Sequence, residues 1–189
     1  MANDQTLNST LLIAMPQLED PNFHRTVMLI VEHDENGTFG LVLNRTADLL
    51  ASTLCASLDI KWRGHPEAII HWGGPVEPNS GWLLLNHPEV EDLEDPAITR
   101  VGEQDLFLAR SMEVLRNASN ESLAEIRFYL GYAGWGPGQL EWEMSNGAWL
   151  VAPPNQEMVF GSTNDSMWEK SVRSLGIDPA SLVSTQGIH

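Results

Sequence analysis

A single α+β domain is what this sequence predicts, and three observations carry that prediction. Apolar runs of strand length recur between turn residues through the first two thirds of the chain. The last third carries apolar residues at helical spacing. No repeat, low-complexity tract or linker divides the 189 residues, so one domain over 1–189 is the economical expectation.

The elements follow in order. Residues 11–15 (LLIAM) read as a short buried strand that ends at Pro16. Residues 25–33 hold a continuous apolar run from Val27 to Val31, the pattern of a strand buried on both faces. Residues 39–45 form a second β-rich run, and Asn36-Gly37 between the two is a strong hairpin signal because both residues tolerate φ > 0. Thr46 and Asp48 can open a helix through about Leu58, with Ala51, Cys55 and Leu58 on one face. Cys55 is therefore expected to be a small core residue.

Two further strands are expected around the Gly73-Gly74-Pro75 turn, in 67–76 and 81–87. The acidic segment 88–95 reads as a solvated loop, 97–101 as a strand, and Gly102 as the cap of a helix over 103–116 with Leu108, Met112 and Leu115 aligned. Residues 125–133 and 148–153 complete the strands. At the C-terminal end Trp168, Val172 and Leu175 fall at i, i+4 and i+7, and Glu169 to Arg173 is an i,i+4 pair in the favourable direction. Gly176 stops that helix, and Asp178-Pro179 starts a last short one.

Residues 130–144 (LGYAGWGPGQLEWEM) are rich in glycine, but they do not follow the grammar of a phosphate loop. A dinucleotide fingerprint starting at Gly134 and Gly136 needs a glycine where Gln139 stands, and a P-loop needs Gly-Lys-Ser/Thr where Pro137 follows Gly136. Glu141 and Glu143 would also repel a phosphate. Pro137 instead suits the first turn of a helix and Asn146-Gly147 its end, with Leu140 and Met144 facing inward. A strand is the competing possibility, because Leu140, Trp142 and Met144 alternate with the two glutamates.

Charge narrows the function classes. Ten basic and 26 acidic residues give a net charge of −16, and the basic residues are scattered. Direct binding to nucleic acid, which carries one negative charge per ~1.7 Å of duplex, is disfavoured. No apolar run is long enough to cross a membrane, and the N-terminal segment lacks a signal-peptide pattern, so a cytoplasmic location is expected. No metal-ligand spacing, cofactor fingerprint or nucleophile elbow occurs; Glu32-His33 at the end of a strand would point to opposite faces. Asp20, His24 and Arg25 could converge through the turn before the second strand, and they are the residues an enzyme would use, most plausibly a hydrolase. The competing account is a turn held by Asp20 and Pro21, with Arg25 paired to an acid.

Three segments together resemble the AlgH/YqgE family of bacterial proteins: residues 11–45, GGPV at 73–76, and 130–144 running on to WLVAP at 149–153. Order, spacing and length all match across essentially the whole chain. Asp34 departs from the pattern by standing where the family often has Asn. The resemblance implies a single α+β domain with a curved, mainly antiparallel sheet flanked by helices and a helical C-terminus. The family's name comes from a role in transcriptional control of alginate synthesis, and the resemblance brings no agreed catalytic residues.

Of the residues in the shared segments, folding explains Asn44, Arg45, Trp135, Gln139 and Glu141 least. With Asp20 and Arg25 they form the candidate ligand- or partner-binding set, expected where these turns meet. The leading expectation is a non-enzymatic regulatory or interaction protein whose partner is a protein or small molecule, with no metal or cofactor. The alternative is a small-molecule-binding enzyme acting near Asp20, His24 and Arg25.

Overall fold

Strands β1 (Leu11–Ala14), β2 (Val27–Asp34) and β3 (Gly37–Val42) form an antiparallel meander in the computed structural model, which describes residues 7–86, 96–102, 106–110, 114–116 and 126–184. The remaining elements are β4 (Thr46–Leu50), α1 (Ala51–Ser57), β5 (Ile69–Trp72), β6 (Val76–Leu85), β7 (Ile98–Arg100), β8 (Phe107–Ala109) and β9 (Ile126–Trp135). Then come α2 (Gln139–Ser145), β10 (Trp149–Ala152), α3 (Gln156–Gly161), α4 (Asn164–Ser174) and α5 (Pro179–Ser184). The sheet runs β10-β1-β2-β3-β9-β6-β8-β7, with β5 on β9 and β4 on β5. All of these pairs are antiparallel except β5 with β9. The result is one α+β domain whose sheet curls into a half-barrel.

Alternation along the strands assigns the core. Leu11, Ile13, Val27, Leu29, Leu41, Leu43 and Tyr129 face Met167, Trp168 and Val172 of α4. Leu12, Met28, Ile30 and Val42 face the other way, onto Leu140 and Trp149. The apolar run 27–31 is thus buried on both faces. At the far end of the sheet, Leu83, Leu85, Phe107 and Phe128 pack on Ala51 and Cys55 of α1. Burial pushes the Cys55 thiol above its ordinary value, consistent with a core role.

β9 is the hub. It takes β3 on one edge through Thr38↔Trp135 and Gly40↔Ala133, and β5 further along the same edge through His71↔Tyr129. β6 occupies its other edge. This exchange of neighbours requires the β5–β6 connection to lie directly on the backbone of β9. A Cβ at Gly73 would sit 2.3 Å from the Gly131 carbonyl oxygen, one at Gly131 2.3 Å from that of Gly74, and one at Gly74 2.1 Å from the Tyr132 carbonyl carbon. Gly131 also holds φ +72°. Three glycines are therefore demanded by contact, not by a simple turn.

The structure corrects several expectations. Residues 46–50 do not begin a helix: they alternate in exposure, pair with β5 as β4, and leave α1 to start at Ala51. Pairing with a neighbouring strand outweighed the capping signal of Thr46 and Asp48. The helix expected over 103–116 is interrupted by β8, which pairs with β6 and β7; only 114–116 is helical among the described residues. The hairpin forms, but its loop is Glu35-Asn36, with Gly37 as the first residue of β3. There a Cβ would lie 2.4 Å from the Trp135 carbonyl oxygen.

The two strands flanking Gly73-Gly74-Pro75 pair with β9 and not with each other. Helix α2 starts at Gln139 after Gly138, two residues later than the Pro137 start, and it excludes the strand alternative. Arg173 lies 4.0 Å from the Asp178 carboxylate beyond the helix end, where the sequence pairs it with Glu169. The acidic segment 88–95 lies outside the described residues.

The glycine contact gives the first prediction. Gly131→Ala should lower the urea midpoint with a loss of at least about 2 kcal/mol, since both the positive φ and the backbone contact oppose a side chain. Gly136→Ala, which meets nothing within 4 Å, should stay within about 0.5 kcal/mol of the parent.

Candidate functional site

The turn before β2 is held by the residues the sequence singled out. The Asp20 carboxylate accepts from the Asn22 amide at 2.8 Å, and the Asp20 carbonyl accepts from the Phe23 and His24 amides. Asn44 uses both ends of its amide: Oδ1 accepts from Val27 N–H and Nδ2 donates to the Arg25 carbonyl, each at 2.9 Å. The Arg45 guanidinium donates to the carbonyls of His24 at 2.9 Å and Pro21 at 3.4 Å. Arg25, at φ +52°, lays its guanidinium 4.8 Å from the Trp168 ring, whose indole N–H in turn donates to the Ala14 carbonyl. Asp20, Arg25 and His24 thus engage different partners, and the His24 side chain is exposed.

Phe23 connects this turn to the second group. Its ring stacks on Trp135 at 6.3 Å and meets Trp149 edge-on at 6.1 Å. Below them Glu143 accepts from both indoles, Trp135 at 3.0 Å and Trp149 at 2.8 Å, and from Gln139 Nε2 at 3.2 Å. Gln139 Oε1 accepts from the Gly136 amide. Glu141 lies 3.6 Å from His33, whose other ring nitrogen contacts Thr38 Oγ1 at 2.7 Å. Asp20, Asn44 and Arg45 therefore brace the turn that carries Phe23, and Trp135 and Gln139 join it through Glu143. Arg25 instead turns to Trp168 on the other face of the sheet, with no acid paired to it among the described residues, and Glu141 pairs with His33. Glu143, Phe23 and Trp149 were not singled out from the sequence; the i,i+4 spacing of Gln139 and Glu143 is the signal that could have found the first. Trp142, beside Glu141 on α2, is 66% exposed.

On the opposite face of the sheet, the hairpin end is open. A groove of about 460 Å³ runs between the hairpin and β9, lined by Glu32, Asp34, Phe39, Val76, Tyr132 and Gly134. Phe39 packs against Trp82 at 4.8 Å and Tyr132 at 4.9 Å, and Trp82 meets Tyr132 edge-on at 6.2 Å. Asp34 accepts from the Asn36 amide at 2.7 Å, and that bond holds its carboxyl below the usual range. Glu32 is exposed, and its carboxylate has no hydrogen-bond or ion-pair partner among the described residues. Beneath the other end of the sheet, a cleft of about 340 Å³ is lined mainly by leucines and Phe128.

The strongest electrostatic perturbations lie in the core. Burial, reinforced by the Arg127 charge, pulls His71 down to about 4, although a hydrogen bond to the Arg45 backbone opposes the shift. Burial pushes the neighbouring Tyr129, 5.1 Å away ring to ring, up to about 12. Arg127 is anchored on the Phe160 and Ser162 carbonyls at 3.3 and 3.2 Å. Among the described residues no group of three or more His, Cys, Asp or Glu is placed to hold a metal ion, and no helix is long and apolar enough to cross a membrane.

The curled half-barrel sheet is the fold of a class of bacterial α+β proteins. The chain belongs to the AlgH-like family, whose model matches residues 11–180. A UPF0301 protein of Myxococcus xanthus is 40% identical over 180 residues, covering 95% of this chain and 96% of that one. The solution structure of the AlgH protein from Pseudomonas aeruginosa is similar with a TM-score of 0.75 at 33% identity, covering 100% of this chain and 98% of that one. The crystal structure of a protein from Corynebacterium diphtheriae gives 0.75 at 26% identity, over 96% and 92% of the two chains.

Two outcomes are expected here. Glu143→Ala leaves two largely buried indole N–H groups without an acceptor and should cost about 2–4 kcal/mol in urea unfolding. His71 titrates near 4 when folded and near 6.5 when unfolded, so the unfolded chain binds its proton more readily in that window. Stability from this group should therefore be full above pH 6.5 and fall by roughly 3 kcal/mol as the pH drops to 4. Unfolding curves of the parent and His71→Phe over that range should differ by this slope.

Proposed function

We propose that this protein is a non-enzymatic, cytoplasmic interaction protein that acts by binding a small ligand or a protein partner, and that any effect on transcription is indirect. The observation that carries this reading is a contrast in how the polar groups are used. Asp20, Asn44, Arg45 and Gln139 are engaged with backbone groups of their own chain, while the groove at the hairpin end presents the half-buried Phe39 and Tyr132 rings and a Glu32 carboxylate that has no partner among the described residues. Of the titrating groups with the largest shifts, Tyr129 is fully buried and His71 is half-buried against it with Nδ1 out of contact with solvent, and neither lines the hairpin groove, which weighs against their use as acid or base. The net charge of −16 weighs against direct contact with DNA.

The test is a thermal-shift screen of the full chain against metabolites, nucleotides and divalent metals, with each hit then incubated with the protein and assayed for consumption. A ligand at a hundred times its Kd should add about 2.7 kcal/mol and be recovered intact. Conversion of a hit that disappears in His24→Ala or Arg25→Ala would make the protein an enzyme acting at the turn, and the proposal would fall.

A further inference from the structure

We propose that the groove at the hairpin end is a binding site for an organic cation, an alkylammonium or guanidinium group held over Phe39 and Tyr132 with Glu32 and Asp34 as its counter-charges. This rests on the binding-protein reading above and specifies its ligand class. Aromatic faces carry negative potential, and Phe39, Tyr132 and Trp82 form a continuous set of rings within 4.8 to 6.2 Å of one another. This set of rings already uses the same chemistry. Arg110, the residue after β8, places its guanidinium 5.2 Å from the ring of Trp82 on β6. The groove offers a second position of this kind, with no Lys or Arg of the chain among its lining residues.

The charges point the same way. Glu32 and Asp34 flank the hairpin strand on the groove side, because the bulge between Ile30 and Glu32 brings Glu32 opposite Phe39. Glu32 has no cationic partner within the described chain, and the Asn36 amide keeps Asp34 ionised. An anionic ligand would meet two like charges. A neutral one would shield Glu32 from water without compensating it, which is unfavourable for an ionised carboxylate. Gly134 keeps the floor open: a Cβ there would lie 3.4 Å from the Tyr132 ring and 3.9 Å from Val76, so a larger side chain would fill the groove while leaving both carboxylates in place.

The experiment is an NMR-detected titration of the full chain with choline, agmatine, the neutral choline isostere 3,3-dimethyl-1-butanol, and acetate. Both cations should saturate with shifts centred on Phe39, Tyr132 and Gly134, and the neutral isostere should bind at least about tenfold more weakly. Glu32→Gln and Tyr132→Leu should each weaken choline binding by roughly five- to tenfold, and Gly134→Leu should abolish it with the thermal midpoint monitored to confirm folding. A blocked tripeptide with a central arginine separates the sources. Binding equal to agmatine assigns a protein-borne guanidinium, and binding of agmatine alone assigns a free metabolite. Equal affinity for choline and its neutral isostere, or no saturation by either cation, overturns the site. A cation that binds and is consumed would instead keep the site and overturn the non-enzymatic reading, and a screening hit that maps elsewhere and is recovered intact, with no saturation of the groove by either cation, would do the reverse.

Discussion

The contact of Gly73 and Gly74 with Gly131 is the constraint on which the rest of the structure depends. A strand has two edges, yet β9 serves three neighbours, and it does so by exchanging β3 for β5 partway along one edge. At the exchange point backbone touches backbone. The Gly73 amide donates to the Leu130 carbonyl and its own carbonyl accepts from Val42, each at 2.8 Å, so one residue links β3 and β9. Any Cβ there would push the two chain segments apart and break both bonds. The sheet curls because its central strand must turn from one neighbour to the next, and the curl creates both the covered interior under α4 and the uncovered hairpin end. A groove in that position is a consequence of the same glycines that hold the sheet together.

The second organising feature is a set of polar side chains that act as backbone partners. Residues 20–26 form an irregular turn in which the Pro21, His24 and Arg25 carbonyls lie outside the strand ladder. Asn44 and Arg45, in the connection between β3 and β4, donate to these carbonyls, and Asn44 also accepts from the Val27 amide. The same turn throws Phe23 onto Trp135 and Trp149, which Glu143 ties together from α2. A chain of contacts thus runs from the turn through the aromatic corner to the helix. It explains why polar residues that looked functional in the sequence are bound up with the fold, since a side chain bridging two backbone segments leaves no pattern of periodicity to mark it as structural.

What was legible in the sequence followed from short-range chemistry. The two-sided burial of 27–31, the hairpin near Gly37, the helix over 139–145 and its Asn146-Gly147 end, and the C-terminal helices all have local causes. The failures have non-local ones. Residues 46–50 carry helix-opening signals and become a strand because β5 offers them a partner brought from twenty residues away. Residues 107–109 sit in a helical pattern and become β8 because β6 and β7 flank them. The Gly-Gly-Pro segment was recognisable as a turn, but its demand for glycine comes from Gly131, nearly sixty positions later, and no window along the chain contains both. Likewise Glu32 and His33 were separable onto opposite faces by strand geometry alone, but the rings that Glu32 would meet come from β3 and β9 and are assembled only in the folded sheet.

The acidic character of the chain acquires a more specific meaning once the fold is known. A charge of −16 spread evenly would merely repel other anions, but the carboxylates are not equivalent. Glu143 is enclosed by three donors and Asp34 is fixed by its own turn, whereas the Glu32 carboxylate has no partner among the described residues and lines the same groove as Phe39 and Tyr132. An exposed carboxylate beside water has little to gain from rings. A cation lodged between the carboxylate and the ring faces is attracted by both, and each attraction strengthens as water leaves. Long-range attraction from the net negative charge would bring such a ligand to the surface, and the groove would give it a place to rest. The same field that disfavours nucleic acid therefore favours the ligand class that the groove geometry selects, so the two observations are independent supports for one conclusion.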